Sequence, residues 1–287
     1  MQLVVTRDGV GRLEEGGIAL LDSAFPDVAA LLRGAGSLDL LAAARVLDRV
    51  PLEGCELRAP VGGSSAVWGV GLNYHSKAAR AGRAVPVEPI LYLAASSAVV
   101  GPDAEVTVPV ERTAEMDYEG EIAVVIGQPL YQAEPSAVWP AVAGITAAND
   151  ITARDVMRAT GSPTLAKSFP GFNPLGASFV TVDELPDRDA IGVRTFVNGE
   201  LRQAGDSSGM IFAIPELVAR LSHLVALEPG DIVLTGTPAG TGQDRQCFLA
   251  AGDEIRVEVD SVLPLVTTVA GLITELAPTP VLAEQAR

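Results

Sequence analysis

Apolar residues run together or alternate with polar ones in many short segments, a pattern typical of strands. The clearest segment is residues 117–127, where Glu119 and Glu121 lead into a run of β-branched residues closed by Gly127. Because side chains on a strand alternate between faces, both acids are expected on the same face, about 7 Å apart at their bases. They form either a solvated strand face or one end of a functional site, and the pattern leaves both open.

The pattern of the rest of the chain predicts many strands, few helices and no regular alternation of the two. This combination is typical of a β-rich α+β domain with peripheral helices. Amphipathic helices are predicted at residues 26–32, 38–50 and 215–225, and the Asn198-Gly199 pair predicts a hairpin. Further strands are predicted at residues 3–6, 18–21, 66–71, 90–93, 105–108, 142–148, 193–197, 200–203, 232–235, 254–259 and 266–269.

The same pattern predicts a domain boundary, a loop and a tail. Residues 1–60 hold no candidate catalytic group and are predicted to form a small N-terminal domain, with residues 61–287 as the main domain. Residues 81–89 contain glycine and two prolines, so they are expected to form a loop that acts as a lid. The residues after Pro278 are expected to form a frayed tail.

Charge and composition narrow the function classes. Acidic residues outnumber basic ones by 36 to 20, a net charge of −16, which argues against nucleic acid and anionic membranes as partners. No apolar run is long enough to cross a bilayer, and the N-terminus lacks the apolar stretch of a signal peptide. A cytoplasmic protein with reduced Cys55 and Cys247 is therefore expected. Gly69-Val70-Gly71 lacks the third glycine of a dinucleotide loop.

Two like charges held close together in a buried place need a proton or a cation between them. A hard divalent cation with oxygen ligands satisfies Glu119 and Glu121 in that case. Asp150 directly follows the apolar segment 142–148, so its carboxylate can turn inward to join them. A helix N-cap or a turn is the alternative role for Asp150.

Six segments together resemble the fumarylacetoacetate hydrolase superfamily, in order and with similar spacing. They are residues 69–74, 117–127, 144–155, 167–176, 197–203 and 227–242. The resemblance implies a mixed β-sandwich roll, usually in homodimers. It also implies a divalent metal held by Glu119, Glu121 and Asp150, Mg²⁺ most often, with Mn²⁺ or Ca²⁺ as alternatives. The substrates of such proteins are small 2-oxo acids and β-dicarbonyl compounds.

The resemblance also assigns roles to residues beyond the metal ligands. Lys167 matches an active-site lysine whose ammonium faces the anionic oxygens of the substrate. Thr237 matches a threonine that hydrogen-bonds the substrate, although a turn residue is the alternative. Tyr74 and Arg80 are further candidates for substrate binding.

The chain departs from the superfamily at the lid. Hydrolytic members carry a His–Glu pair that draws a proton from the attacking water, but here Lys77 and Arg80 stand in those two positions. His75 comes two residues early, about 200° away on a helix. Lys77 is one of only two lysines beside 18 arginines, so it is a candidate base or anion clamp, or else a surface lysine. Superfamily members often have a lysine near Ala94 or Ala95, and a glutamine is common where this chain has Met157.

The sequence therefore predicts a metal-dependent enzyme acting on a small 2-oxo acid or β-dicarbonyl compound. C–C hydrolysis, with His75 or Lys77 as a replacement base, decarboxylation and keto–enol isomerisation all remain open, since the last two need no activated water. The alternative from another class is a catalytically idle relative that binds a metal and an oxo acid.

Overall fold

The computed structural model describes residues 1–62, 65–107 and 112–270. Its strands are β1 (Gln2–Thr6), β2 (Gly9–Glu14), β3 (Gly17–Leu21), β4 (Val46–Val50), β5 (Leu57–Arg58), β6 (Val67–Gly71), β7 (Ile90–Ala94), β8 (Val99–Val100), β9 (Ala104–Val106), β10 (Met116–Asp117), β11 (Gly120–Ile126), β12 (Val142–Asn149), β13 (Thr152–Ala153), β14 (Asn173–Pro174), β15 (Phe179–Thr181), β16 (Gly192–Val197), β17 (Glu200–Asp206), β18 (Ile232–Leu234), β19 (Glu254–Val259) and β20 (Leu265–Val269). Its α-helices are α1 (Val28–Ala35), α2 (Asp39–Ala43), α3 (His75–Arg80), α4 (Val138–Ala141), α5 (Arg154–Thr160), α6 (Pro163–Lys167), α7 (Ile214–Ser222) and α8 (Gly242–Arg245).

Two sheets carry most of these strands. The larger has the order β4-β3-β2-β1-β15-β12-β11-β18-β6-β7, with β5 added on β1, and the smaller has the order β17-β16-β19-β20-β9. Most pairs are antiparallel, but β18 pairs with β6, and β20 with β9, in parallel. The predicted β-rich mixed sandwich with peripheral helices is confirmed.

Strand β11 lies at the centre of the packing. Ile122, Val124 and Ile126 belong to the apolar cluster that also contains Val193 of β16 and Val257 of β19, so this face of β11 meets the smaller sheet. The intervening Ala123 and Val125 belong to a second cluster, which includes residues of α1, β6, β7 and β18. Both faces of β11 are buried, and its alternation decides which side chains face which layer.

The N-terminal strands join the larger sheet directly, because β1 pairs antiparallel with β15. The predicted strands 3–6 and 18–21 are confirmed. The predicted helix 38–50 is wrong in its second half: α2 ends at Ala43, Ala44 is extended with ψ of 141°, and β4 pairs with β3. Pairing along β3 overrides the helical spacing of the apolar residues. The division at residue 60 stays a prediction.

Two further predictions hold closely. Asn198 and Gly199 have φ angles of 52° and 77° and connect β16 to β17, the left-handed pair that a two-residue type I′ hairpin needs. The predicted helix 215–225 is α7, which ends at Ser222. The predicted tail after Pro278 lies outside the described residues. Among the described residues, no helix has both the length and the apolar character needed to cross a membrane.

Candidate metal centre and active site

Glu119, Glu121 and Asp150 meet at one end of the β11–β12 ladder. Gly120 pairs with Asn149, and the Asp150 amide donates to the Glu119 carbonyl oxygen at 2.8 Å. This register sets the two segments side by side, and the alternation of β11 turns Glu119 and Glu121 to the same face. One carboxylate oxygen of each residue lies within 4.8 Å of the others, and all three residues are buried. The sequence prediction that these three acids come together agrees with this geometry.

Burial and mutual repulsion shape the ionisation of this cluster. Burial, then the charges of Asp150 and Glu119, raise the pKa of Glu121 well above its ordinary value. Burial and the charge of Glu119 also raise the pKa of Asp150, against the opposing influence of Lys167. Burial acts in the same direction on Glu119, but Arg154 and Lys167 outweigh it and lower the pKa of this carboxyl.

Two buried cations hold the cluster. Lys167 Nζ donates to Glu119 Oε2 at 2.7 Å, to Thr152 Oγ1 at 2.7 Å and to Asp150, which uses its three donors. Arg154 donates from Nε to Asp117 Oδ2 at 2.8 Å and from Nη2 to Glu119. Both cations are nine-tenths buried or more.

The charges of this region suit a divalent cation. Four buried carboxylates, those of Asp117, Glu119, Glu121 and Asp150, face the two buried cations, so two negative charges are uncompensated when all four are ionised. The raised pKa values of Glu121 and Asp150 reflect the cost of that state in the absence of a cation. Asp150 Oδ1 is buried and has no hydrogen-bond partner. An uncompensated buried charge and an orphaned acceptor are both costly, and a cation with hard oxygen ligands resolves both. The all-oxygen donor set suits Mg²⁺ or Mn²⁺ better than Zn²⁺.

A cavity of about 600 Å³ opens above the carboxylates, large enough for a small acid. Its lining includes predicted site residues and several that were not predicted. They are Lys77, Arg80, Arg83, Tyr92, Glu119, Glu121, Arg154, Met157, Lys167, Thr237, Gln243 and Asp244, together with mostly apolar neighbours.

Lys77 is buried and ion-paired. Its Nζ donates to Thr241 Oγ1 at 2.6 Å and to Asp244 Oδ2 at 2.9 Å, and the residue is 7% exposed. Asp244 is itself held at the start of α8 by a capping box with Thr241. The surface-lysine alternative is wrong. An ammonium held by its own carboxylate partner disfavours the predicted base, and the anion-clamp role stays a prediction.

The other predicted residues divide between the cavity and the core. Arg80 lines the cavity and donates from Nη2 to the Asp244 carbonyl oxygen at 2.7 Å. Thr237 also lines it, but its hydroxyl donates to the Gly120 carbonyl at 2.8 Å, which anchors the glycine-rich loop to β11. His75 is exposed at the start of α3 and is not part of the cavity lining. Tyr74 is 1% exposed and is likewise not part of the lining.

Sequence reasoning missed five residues that complete this region. Tyr92 Oη donates to Asp150, while Asp117 accepts from Arg154 and from the amides of Gly242 and Gln243. Asp117 carried a signal, since it shares the alternation of Glu119. The spacing of Thr241 and Asp244 is that of a capping box. Tyr92 and Arg154 had no local signal that distinguished them.

Comparison with known proteins identifies relatives over most of the chain. Residues 66–270 match the family model described as fumarylacetoacetate (FAA) hydrolase C-terminal. The chain is 38% identical over 248 residues to the mitochondrial oxaloacetate tautomerase Fahd2a of Rattus norvegicus, covering 84% of this chain and 79% of the relative. It is also 38% identical over 225 residues to the human mitochondrial oxaloacetate tautomerase FAHD2A, covering 77% and 71%.

Solved structures share the fold. A putative HpcE protein from Mycobacterium smegmatis superimposes with a TM-score of 0.86 at 31% identity, covering 94% of this chain and 99% of the other. A 5-carboxymethyl-2-hydroxymuconate delta-isomerase from the same species gives a TM-score of 0.74 at 30% identity, with the same coverage. The fumarylacetoacetate hydrolase of Exiguobacterium antarcticum gives 0.80 at 29%, covering 94% and 99%.

Proposed function

The chain belongs to the fumarylacetoacetate hydrolase superfamily, and from this premise we propose that it is a metal-dependent keto–enol tautomerase of a small 2-oxo acid. The observation that carries the proposal is the cavity itself. Glu119 and Glu121 line it, and a carboxylate oxygen of Asp150 lies within 4.8 Å of theirs, so the three together suit a divalent cation. At the lid position the cavity is lined by an ion-paired lysine in place of a water-activating histidine. The tautomerase named in the rat and human relatives supports the choice of reaction.

Hydrolysis of a C–C bond is less well supported. It needs a base that activates water, and no histidine lines the cavity among the residues that the structure describes. The chain has two histidines, His75 on α3 and His223 at the end of α7, and both are exposed. Tautomerisation moves a proton between the carbon beside the carbonyl and the oxo oxygen, and it needs no activated water nucleophile.

The chain's own residues have distinct roles in this proposal. Glu119, Glu121 and Asp150 would hold the cation, which when bound supplies Lewis acidity for the 2-oxo and carboxylate oxygens of the substrate. Lys167 shares two of these carboxylates with the cation site, so its ammonium is expected to release one of them and donate to the oxygen on which negative charge develops. Thr237 keeps the glycine-rich loop against β11.

Three further proposals go with this function. Mg²⁺ is proposed as the ion, with Mn²⁺ or Ca²⁺ as alternatives, because the ligands are hard oxygens. A homodimer is proposed because β7 is an edge strand of the larger sheet whose Ile90 and Leu93 side chains are exposed. A cytoplasmic location remains a proposal from the sequence alone.

The direct test is to follow the enol absorbance of oxaloacetate with purified protein. We expect turnover with Mg²⁺, loss of turnover on chelation, and recovery on adding Mg²⁺ back. Glu121→Gln should lose activity, whereas Arg45→Ala, an exposed arginine in the N-terminal segment, should match the unaltered protein.

Three results would change the assignment. Binding of Mg²⁺ and oxalate without turnover would favour the idle relative. Release of carbon dioxide as the main product would favour a decarboxylase. Incorporation of labelled water into the cleavage products of an acylpyruvate, at a rate above tautomerisation, would restore the hydrolase.

A further inference from the structure

Two arginines at the cavity have no evident use in the proposed tautomerisation. Arg80 ends α3 and Arg83 follows three residues later, and both line the cavity. Among the described residues, neither guanidinium lies within 4.0 Å of a carboxylate oxygen, and the Arg80 bond is to a backbone carbonyl. Both therefore retain an unneutralised positive charge.

The other cations of the cavity are already neutralised. Lys77 pairs with Asp244, while Arg154 and Lys167 pair with the carboxylates of the candidate metal centre. The excess positive charge of the lining thus comes from the two arginines. Both side chains are exposed at the cavity, so in a chain with a net charge of −16 they offer a local positive charge to an anionic ligand.

The backbone positions of both arginines are fixed. Arg80 belongs to α3, whose first turn is anchored through Lys77 to α8. The helix closes with the Arg83 amide donating to the Ala78 carbonyl at 3.0 Å, beside Gly82 in the left-handed region at φ of 61°. The planar fork of donors of an arginine matches the geometry of a carboxylate.

We propose that Arg80 and Arg83 bind a second carboxylate of the substrate, so that the enzyme acts on 2-oxo dicarboxylates in preference to 2-oxo monocarboxylates. This inference rests on the proposed function, in which the candidate metal centre takes the 2-oxo acid end. The remote carboxylate then lies towards α3, and the two arginines determine specificity without taking part in proton transfer.

The kinetic test compares oxaloacetate with its 4-methyl ester, which keeps the 2-oxo acid and replaces the second carboxylate by an uncharged group. Arg80→Ala/Arg83→Ala should raise KM for oxaloacetate by about tenfold, the value of one charged hydrogen bond, and leave kcat nearly unchanged. KM for the ester should not change. With lysine in place of alanine at position 83, the variant Arg80→Ala/Arg83→Lys should recover part of the affinity for oxaloacetate that the double alanine variant loses. Arg45→Ala should behave as the unaltered protein. Equal effects on both substrates, or no effect on either, would overturn the inference.

A binding measurement keeps the inference separate from catalysis. With Mg²⁺ present, calorimetry should show tighter binding of malate than of lactate, its monocarboxylate counterpart, and the double variant should lose that difference. Oxalate, which has no remote carboxylate, should bind both proteins equally. Turnover of oxaloacetate without any preference for malate would refute the inference alone. The malate preference without turnover would refute the proposed tautomerase and keep the arginine site.

Discussion

At the scale of single residues, the candidate metal centre depends on groups that orient its carboxylates. Tyr92 is the clearest of these, because its hydroxyl donates to Asp150 and its ring lies 5.1 Å from Lys167 Nζ. A hydrogen bond to a ligating carboxylate fixes the orientation of that ligand and tunes the affinity of the site.

Removing this hydroxyl should weaken metal binding and leave the fold intact. We expect Tyr92→Phe to reduce Mg²⁺ or Mn²⁺ affinity by about tenfold or more, measured by calorimetry, since loss of such a partner costs 10- to 100-fold in known sites. Tyr131→Phe is the matched control, because Tyr131 is 63% exposed. Unchanged affinity in Tyr92→Phe would show that Asp150 needs no such partner.

The same scale shows why the site was only partly predictable. Glu119 directly precedes β11 and Glu121 is its second residue, so alternation along the chain was enough to place them together. Tyr92 comes from β7, which reaches the centre only through β6 and β18, and Arg154 turns back from α5. No local pattern encodes such contacts. Lys77 was predicted from its rarity, but its partner Asp244 depends on how α3 and α8 meet.

At the scale of elements, local signals succeeded where a turn has strict backbone requirements. The Asn198-Gly199 pair fixed the β16–β17 hairpin, whereas apolar spacing at residues 38–50 was ambiguous between helix and strand. Residues 46–50 form a strand because they pair with the edge of β3. This pairing joins segments that are distant in sequence, so a local pattern cannot predict it.

The hairpin gives a test of this local control. Gly199→Ala should lower the free energy of unfolding by about 1–2 kcal/mol in a denaturant titration, since a Cβ disfavours the left-handed region. No atom lies within 4 Å of the added methyl, so the cost is conformational. Gly199→Asn should recover part of it, because asparagine visits this region more readily. Equal losses in both variants would contradict this explanation.

A second element-scale prediction concerns pH. Burial opposes ionisation of Asp155, but hydrogen bonds from Thr113, Ala114 and Val156 outweigh it and lower the pKa of the carboxyl. A depressed folded-state pKa contributes stability above the unfolded value of about 3.9 and loses it as pH falls through the folded value. Asp155→Asn should therefore lower the melting temperature at pH 7, and the gap should narrow below pH 4. A gap that is constant from pH 7 to pH 3 would contradict this assignment.

At the scale of the whole molecule, the buried carboxylates of the candidate metal centre link metal binding to folding. A ligand that binds only the folded state at 100 times its dissociation constant adds about 2.7 kcal/mol of stability. Saturating Mg²⁺ should therefore raise the melting temperature by several degrees. Glu121→Gln should abolish most of the rise, while Arg45→Ala should retain it. A melting temperature indifferent to Mg²⁺ would refute the cation site.

The proposed homodimer belongs to the same scale. Val87, Ile90 and Leu93 are 85%, 39% and 42% exposed on β7 and the loop before it. We expect light scattering to give twice the chain mass of 29.7 kDa, and Val87→Asp/Leu93→Glu to shift it towards the single chain. Leu224→Glu, at an apolar residue 71% exposed near the end of α7, is the control. A monomer in the unaltered protein would refute the dimer.

The position of the β11–β12 connection has a consequence for tolerance to length changes. The connection, residues 127–141, leaves the ladder at the end remote from the carboxylates, and the ladder has its one irregularity there, between Val125 and Ile126. Insertions in the connection can be absorbed at that irregularity without moving Glu121 or Asp150. A deletion within β11 would instead turn Glu121 towards the opposite layer. We therefore expect residues 127–141 to tolerate changes in length, whereas β11 must keep its number of residues for Glu121 to stay in the candidate metal centre.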